Sequence, residues 1–233
     1  MLDNGDSTLI ITPSNKTILI DGGGSTYGDY DVGKNTLFPY LLDRGIKKID
    51  YVMISHFDAD HCLGLFEILK QLEIKQVIIS KQGENSENFE KFIEIVKDRK
   101  IKLIVVKSGD ELIIEKDIKI QILWPEEKQI KENVLNNNSI VCKLFYRNFS
   151  MLFTGDIEEV AEKQIISQYK NSKVLNSTVL KVAHHGSKTS SIQEFLEVVQ
   201  PKASLIGVGK NNKFGHPNKD VIDRLQNLRC KSL

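Results

Sequence analysis

The sequence contains few of the residues that stabilise small secreted proteins. Only three of its 233 residues are cysteines (Cys62, Cys142 and Cys230), and no two of them form a Cys-x-x-Cys pair. This odd, scattered set argues against a disulfide framework and against a cysteine zinc site, and it fits a reducing compartment.

Long apolar runs are also lacking. No run approaches the roughly 18 residues needed to span a bilayer. The start, MLDNGDSTLI, lacks the basic and apolar segments of a signal peptide. We therefore expect a soluble chain with no membrane segment, cytoplasmic if it stands alone, although the same sequence could be a domain of a larger membrane protein.

The chain has no excess of charge of one sign. Its 32 basic and 31 acidic residues give a formal net charge of +1, so the total neither requires nor excludes nucleic acid as a partner. A local basic excess occurs from 201 to 233. Its cations are Lys202, Lys210, Lys213, Lys219, Arg224, Arg229 and Lys231, against the carboxylates of Asp220 and Asp223. Such an excess can contact a phosphate backbone, and a solvated helix face and tail would have the same composition.

Short β-branched runs alternate with amphipathic stretches along the chain. Strands are predicted at 8–12, 16–21, 48–55, 75–80, 101–106, 111–115, 118–124, 139–146, 149–155, 177–184 and 203–209. Helices are predicted at 36–45, 62–72, 87–100, 157–169, 191–200 and 217–228. Strands followed by mixed strands and helices, twice over, predict two sheets packed together with helices outside. This is an α+β or layered α/β architecture, and we expect a single domain over 1–233.

The stretch ISHFDADHCLG (54–64) crowds His56, Asp58, Asp60 and His61 just after a strongly β run. Clustered carboxylates repel each other unless a hydrogen-bonded network or a cation compensates them. A helix cap at Asp60 would explain one carboxylate, but it would not explain the two histidines. The pattern therefore indicates a metal site.

Two later apolar runs also end in possible ligands. Asp156 follows FTG, where a helix cap is the plain alternative. His184 and His185 follow VLKVA, and adjacent residues of a strand would point to opposite faces. One of these histidines could then reach a site while the other supports it or contacts a substrate. His216, in KFGHPNK, is the fifth histidine.

The motifs SHFDADH, FTGD and VAHHGSKTS, in this order, resemble those of metallohydrolases with the metallo-β-lactamase fold. Together with GDSTLIITPSNKTILIDGGG and the late GHP, they most resemble the hydrolase domain of ComEC-type DNA-uptake (competence) proteins and their soluble relatives. The resemblance covers about residues 5–220. It implies a four-layer αβ/βα sandwich with metals at one edge, and a cell-surface location if the chain is part of a membrane protein.

The resemblance also implies two divalent metal ions, zinc or manganese. The implied ligands are His56 and Asp58 for one ion, Asp60 and His61 with His184 or His185 for the other, and Asp156 bridging both. Asp60, Asp156 and His185 are the implied catalytic residues. Asp21, in LIDGG, would support the ligands from behind, and a simple turn residue is the alternative.

The chain departs from the wider family at two places. The family has HxHxDH where this chain has HxDxDH, and the carboxylate of Asp58 favours manganese or magnesium somewhat more than an imidazole would. The family also has a histidine between His61 and His184, where this chain has none. In NNNSIVCKLFY, Asn138 or Ser139 would stand in its place. The chain also stops at LRCKSL, where relatives tend to add a closing strand.

Such a site suits a phosphodiester substrate. Two cations can lower the pKa of a shared water to give a metal-bound hydroxide, and they stabilise the charge of the transition state. Ser187, Lys188 and Thr189 would bind the phosphate, with His216 beside the substrate. Capping of the next helix by Ser190 or Ser191 is the plain reading of that segment.

We therefore expect a metal-dependent phosphodiesterase or nuclease that acts on DNA. One alternative is a hydrolase of a small ester or lactone, which would use the same metals. The other is a binding module with a decayed metal site, an idea that the missing histidine motivates.

Overall fold

Each half of the chain is built on one β-sheet. The computed structural model describes residues 5–25, 30–81, 86–209 and 212–233. Unit 1 comprises residues 1–106 and 208–212, and unit 2 comprises residues 107–207 and 213–233. The expectation of one domain over 1–233 stays a prediction. Among the described residues, no helix has the length and apolar character needed to cross a membrane.

Unit 1 contains a five-stranded sheet with the order β1-β2-β3-β4-β5. Its strands are β1 (Thr8–Ile11), β2 (Thr17–Ile20), β3 (Lys48–Met53), β4 (Glu73–Ser80) and β5 (Lys102–Val106). β1 and β2 form an antiparallel hairpin, and the remaining neighbours are parallel. Its helices are a π-helical turn (Gly33–Leu37), α1 (Phe38–Asp43), α2 (Ala59–Gln71) and α3 (Glu87–Asp98).

The helices of unit 1 follow from spacing and capping. α2 buries Leu65, Ile68 and Leu69, which lie three and four residues apart and therefore share one helix face. α3 begins where the Ser86 hydroxyl accepts a hydrogen bond from the Phe89 N–H at 3.0 Å. These faces pack with the strands into one apolar core.

Unit 2 contains a seven-stranded sheet with the order β12-β11-β10-β9-β8-β7-β6. Its strands are β6 (Glu111–Glu115), β7 (Ile118–Trp124), β8 (Val141–Tyr146), β9 (Phe149–Phe153), β10 (Val179–Lys181), β11 (Ala203–Leu205) and β12 (Lys231–Ser232). β6 to β9 form an antiparallel meander, and β9 to β12 are parallel. Its helices are α4 (Val134–Asn137), α5 (Glu159–Tyr169), a 3₁₀ turn (Ala183–Gly186), α6 (Gln193–Val199) and α7 (Lys219–Asn227).

All eleven strands expected from the sequence are present, and both sheets carry helices, so the α+β class is confirmed. Two short elements, α4 and β12, have too few residues to show a period. β10 and β11 end earlier than expected, so 182–184 and 206–209 are not strand. The early end of β10 changes the backbone conformation at the paired histidines.

A buried glutamate caps α6. The carboxylate of Glu162, on α5, accepts the N–H of Ser191 at 2.6 Å and that of Ile192 at 2.9 Å. These N–H groups lie at the helix start, where no carbonyl of the helix can accept them. The expected cap by Ser190 or Ser191 is therefore wrong: Ile192 holds the cap position, and the Ser190 hydroxyl donates to the Ile157 carbonyl at 2.8 Å. Burial raises the pKa of Glu162 to about 8.

We expect Glu162→Ala to lower the free energy of unfolding by about 2–4 kcal/mol, because two buried N–H groups lose their acceptor. The pH dependence has a definite sign. The pKa of Glu162 is higher in the folded state than in the unfolded state. The stability that Glu162 contributes is therefore fully present below about pH 4.5 and is lost as the pH rises through about 8. Urea unfolding at several pH values should show the wild type losing stability relative to Glu162→Gln over this interval. A pH-independent difference between the two would contradict the assignment.

Candidate metal centre

In unit 1 the parallel strands β2 and β3 end at the same edge of the sheet. Ile20 pairs with Met53, and the N–H of the next residue, Asp21, donates to the Met53 carbonyl at 2.9 Å. The segments that follow the two strands therefore leave the sheet side by side. This places Asp21 against Ser55, at the start of the histidine-rich loop.

The Asp21 carboxylate organises this edge. It accepts the Ser55 N–H at 2.8 Å, the Ser55 hydroxyl at 2.7 Å and Nδ1 of His61 at 2.9 Å. Asp21 is only 3% exposed, with a left-handed φ of +57°, which aspartate tolerates better than most residues. Because Nδ1 of His61 donates to the carboxylate, Nε2 is the nitrogen that can bind a metal. Asp21 thus orients His61 as well as forming the turn after β2.

The other residues of the loop lie close by. The His56 ring is fully buried, and its centroid lies 4.1 Å from that of His61. Its Nε2 lies 3.6 Å from Oδ2 of Asp58, whose side chain is 40% exposed. α2 begins at Ala59 with Asp58 at the cap position, so a cap by Asp60 is wrong, and the half-buried Asp60 lies in the first turn of the helix.

Asp6 is a buried acid to which the sequence motifs gave no role. Its N–H donates to the Asp60 carbonyl at 3.2 Å, and its own carbonyl accepts the Gly23 N–H at 2.8 Å. A carboxylate oxygen of Asp6 and a ring nitrogen of His61 lie within 4.8 Å of each other. The available signal was its place in GDSTLI, which carried the family resemblance but no assignment.

Glycines allow the Asp21 turn to contact α2 directly. The Gly22 N–H donates to the His61 carbonyl at 2.8 Å, and the Gly64 N–H donates to the Gly23 carbonyl at 2.8 Å. A Cβ atom on Gly64 would overlap the carbonyl oxygen of Gly22. The backbone of the turn and the backbone of the helix are therefore in contact, and this contact sets the height of His61 relative to Asp21.

We expect Gly64→Ala to destabilise the protein by about 1–3 kcal/mol through this overlap. Helix propensity alone predicts the opposite effect, because alanine favours a helix over glycine by about 1 kcal/mol of stability. Urea denaturation decides between them, with Gln71→Ala on the same helix as the control, expected within about 0.5 kcal/mol of wild type. Unchanged or increased stability of Gly64→Ala would show that the contact does not constrain the helix.

In unit 2 the parallel strands β9 and β10 also end together. Phe153 pairs with Lys181, and beyond this pair the Thr154 hydroxyl donates to the Lys181 carbonyl at 2.6 Å. The His184 N–H donates to the Gly155 carbonyl at 3.1 Å. Asp156 and the paired histidines thus lie at the same edge of this sheet.

The paired histidines lie in a turn, and the strand has ended before them. β10 ends at Lys181, so the expectation that they point to opposite faces of a strand is wrong. His184, His185 and Gly186 all have left-handed backbone, with φ of +49°, +53° and +77°. This conformation costs a non-glycine residue roughly 1–2 kcal/mol, and it persists where the surroundings hold it.

The two histidines differ in their surroundings. Nδ1 of the buried His185 donates to the Gly207 carbonyl at 2.7 Å, and its Nε2 lies 3.7 Å from Oδ2 of the buried Asp156. His184 is more exposed, with Nε2 3.9 Å from Asp156 and Nδ1 3.5 Å from Glu158. His185 therefore has the fixed tautomer that metal-binding histidines have, while the His184 side chain is 23% exposed.

The asparagine-rich segment before β8 has several functions. The Asn138 side chain is bound to the N–H and carbonyl of Ile130, both at 2.9 Å, so it holds the preceding loop. The Ser139 hydroxyl accepts the Asp156 N–H at 3.2 Å and supports that turn. Among the described residues, Asn136 is the asparagine whose buried side-chain oxygen accepts no hydrogen bond. An oxygen donor from this segment would therefore come from Asn136, which the sequence did not single out.

The segment expected to bind phosphate is partly occupied by its own contacts. The buried Ser187 hydroxyl lies 3.0 Å from that of Thr189, which donates to Oε1 of Glu158 at 2.9 Å. Lys188 and Thr189 are exposed. Glu158 was not anticipated from the sequence, and it connects this segment to His184.

His216 lies beside the paired histidines. Its ring centroid is 5.9 Å from that of His184, and the Asn218 N–H donates to the Gly186 carbonyl at 2.8 Å. Burial lowers the pKa of His216, and the neighbouring His184 and His185 lower it further. His216 is therefore favoured as a neutral ring near neutral pH.

Comparison with known proteins gives a consistent result. The Metallo-beta-lactamase superfamily profile matches residues 2–210. ComE operon protein 3 of Bacillus subtilis is 34% identical over 97% of this chain and 30% of its own length. Competence protein ComA of Neisseria gonorrhoeae is 25% identical over 94% of this chain and 28% of its own. The chain therefore spans about a third of the length of these curated relatives. In a solved structure, the CmlA beta-hydroxylase E377D mutant, 51% of that chain aligns with 99% of this one at 12% identity and a TM-score of 0.63.

Proposed function

The chain belongs to the metallo-β-lactamase superfamily, as its motifs predicted, and from this we propose that it is a metal-dependent phosphodiesterase that cleaves DNA. The main support is the arrangement of His61 and His185. In each, Nδ1 donates to a fixed acceptor, so Nε2 is the ring nitrogen that would bind a metal, and a buried carboxylate lies close to the ring. Imidazole nitrogens and carboxylate oxygens are the donors that zinc and manganese accept.

We assign the ligands to two divalent ions. The residues assigned as ligands are His56, Asp58, Asp60, His61, Asp156 and His185. His184 is assigned to contact the substrate instead. Asp6 joins this set because its carboxylate lies close to His61. Bound ions would supply Lewis acidity and acidify a water molecule.

The chain's own residues have separate tasks in this proposal. Asp21 and the Gly207 carbonyl hold the tautomers of His61 and His185. The exposed Lys188 donates to the phosphate oxygens, while the hydroxyl of the neighbouring Thr189 donates to Glu158. His184, with Nδ1 beside Glu158, donates a proton to the leaving oxygen as the bond between phosphorus and that oxygen breaks.

DNA is the favoured substrate for two reasons. ComA is named as a competence protein, which fits a role in DNA uptake. The basic excess from 201 to 233 includes exposed Lys202, Lys213 and Lys219, which suit an anionic backbone. In a longer protein that contains this chain, the proposed activity would belong to one domain among others.

The deciding experiment combines metal analysis with a cleavage assay. We expect about two metal ions per chain after reconstitution with Mn²⁺ or Zn²⁺, and cleavage of a labelled single-stranded oligonucleotide. Asp60→Ala should lose metal and nearly all activity, because a ligand is removed. Asp43→Ala, at the end of α1, is the matched control and should behave as wild type.

The alternatives predict other outcomes. Preferential hydrolysis of an uncharged ester or lactone over the oligonucleotide would exclude the nuclease assignment. Absence of bound metal after reconstitution would favour a binding module with a decayed site.

A second prediction concerns Asp21. Asp21→Asn keeps the size of the side chain but removes the charge that His61 donates to, and we expect metal affinity to fall about 10–100-fold. Competition with a chromophoric chelator measures this. Asp50→Asn makes the same change on β3 at a carboxylate that accepts the Thr17 N–H at 3.0 Å, so it should leave affinity unchanged. Equal affinities for the two variants would refute a role of Asp21 in orienting His61.

A further inference from the structure

An exposed phenylalanine extends the histidine cluster of unit 2 towards solvent. Phe214 is 60% exposed, and its ring stacks on His216 with centroids 5.8 Å apart and planes 17° apart. His216 in turn contacts His184, whose Nε2 lies 3.9 Å from Asp156. The three rings form a continuous row that leads outwards from the carboxylate.

The row is held in place by the backbone beneath it. Just after His216, the Asn218 N–H donates to the Gly186 carbonyl at 2.8 Å. A Cβ atom on Gly186 would lie 2.8 Å from Cβ of Pro217, so the two segments are in close contact there. His216 is thereby fixed against the histidine turn, and it covers one face of the Phe214 ring.

We propose that Phe214 is a base-stacking residue that takes an unpaired nucleobase next to the phosphate being cleaved. This inference rests on the proposed function and adds a preference for single-stranded DNA. The ring stacks on His216 and is 60% exposed, and a nucleobase offers a flat partner for the exposed part of the ring. Base–aromatic stacking is worth about 1–3 kcal/mol per base and is tolerant of sequence.

Charge and geometry support a nucleic acid as the occupant. Lys213, adjacent in sequence, is exposed, and Lys188 is exposed two residues beyond Gly186. An aromatic face flanked by cations is the combination that single-strand binders use: the rings hold bases and the cations follow the backbone. Bases inside a duplex already stack on both faces, so the ring selects an unpaired base.

The test measures binding separately from cleavage. Fluorescence anisotropy compares an oligothymidylate with an abasic strand of equal length, with Ca²⁺ as the probe cation. The wild type should prefer the oligothymidylate, and Phe214→Ala should lose about tenfold in affinity for it while binding the abasic strand as before. Phe149→Ala is the matched control. Phe149 is 38% exposed, and it lies at the opposite end of β9 from Asp156.

A second variant gives an optical readout. The chain's single tryptophan, Trp124, is buried, so Phe214→Trp adds the one exposed indole. Its fluorescence should be quenched by oligothymidylate and not by the abasic strand. In the cleavage assay, Phe214→Ala should raise KM several-fold with little change in kcat.

The outcomes separate the two proposals. Base-dependent binding that Phe214→Ala abolishes, without cleavage by the wild type, would uphold the stacking residue and remove the nuclease. Cleavage with equal binding of both strands, or with the same base preference in Phe214→Ala, would overturn the stacking residue and leave the nuclease intact. No binding of either strand would overturn the stacking residue.

Discussion

The hydrogen bond between the Asp21 carboxylate and Nδ1 of His61 is the interaction on which the candidate site of unit 1 depends. A carboxylate as buried as Asp21 is costly unless it is fully hydrogen-bonded, and its three donors satisfy it. Those donors are available because β2 and β3 are parallel and end together. The position of the His61 donor also requires the glycine contact between the Asp21 turn and α2. Sheet register, turn and helix packing therefore all act on the orientation of one imidazole.

Unit 2 reaches a similar arrangement with different chemistry. Its histidine turn also follows a pair of parallel strands, β9 and β10, but the acceptor for His185 is the neutral carbonyl of Gly207. A charged acceptor raises the basicity of an imidazole more than a neutral one does. If a metal ion is bound, we therefore expect His61 to donate electron density to it more strongly than His185 does.

Much of this could be predicted from the sequence because the information was local. Strand-length apolar runs predicted every described strand of both sheets except β12, and the motifs around His61 and His185 predicted the family, which the comparison confirmed. What could not be predicted depends on contacts between distant segments. Asp6 is held by the backbone of Asp60, and the cap of α6 comes from Glu162, far earlier in the chain. The left-handed turn was missed because apolar residues continue past the end of β10.

The left-handed turn at His184 and His185 also limits which side chains can stand there. β-branched residues are strongly disfavoured at positive φ, whereas asparagine and aspartate tolerate it. Exchange of either histidine for a carboxylate or an amide is therefore compatible with the backbone, while exchange for valine or isoleucine is not. The residues most easily accommodated thus carry side-chain oxygens, so the substitutions that fit this backbone keep an atom able to bind a metal at the turn.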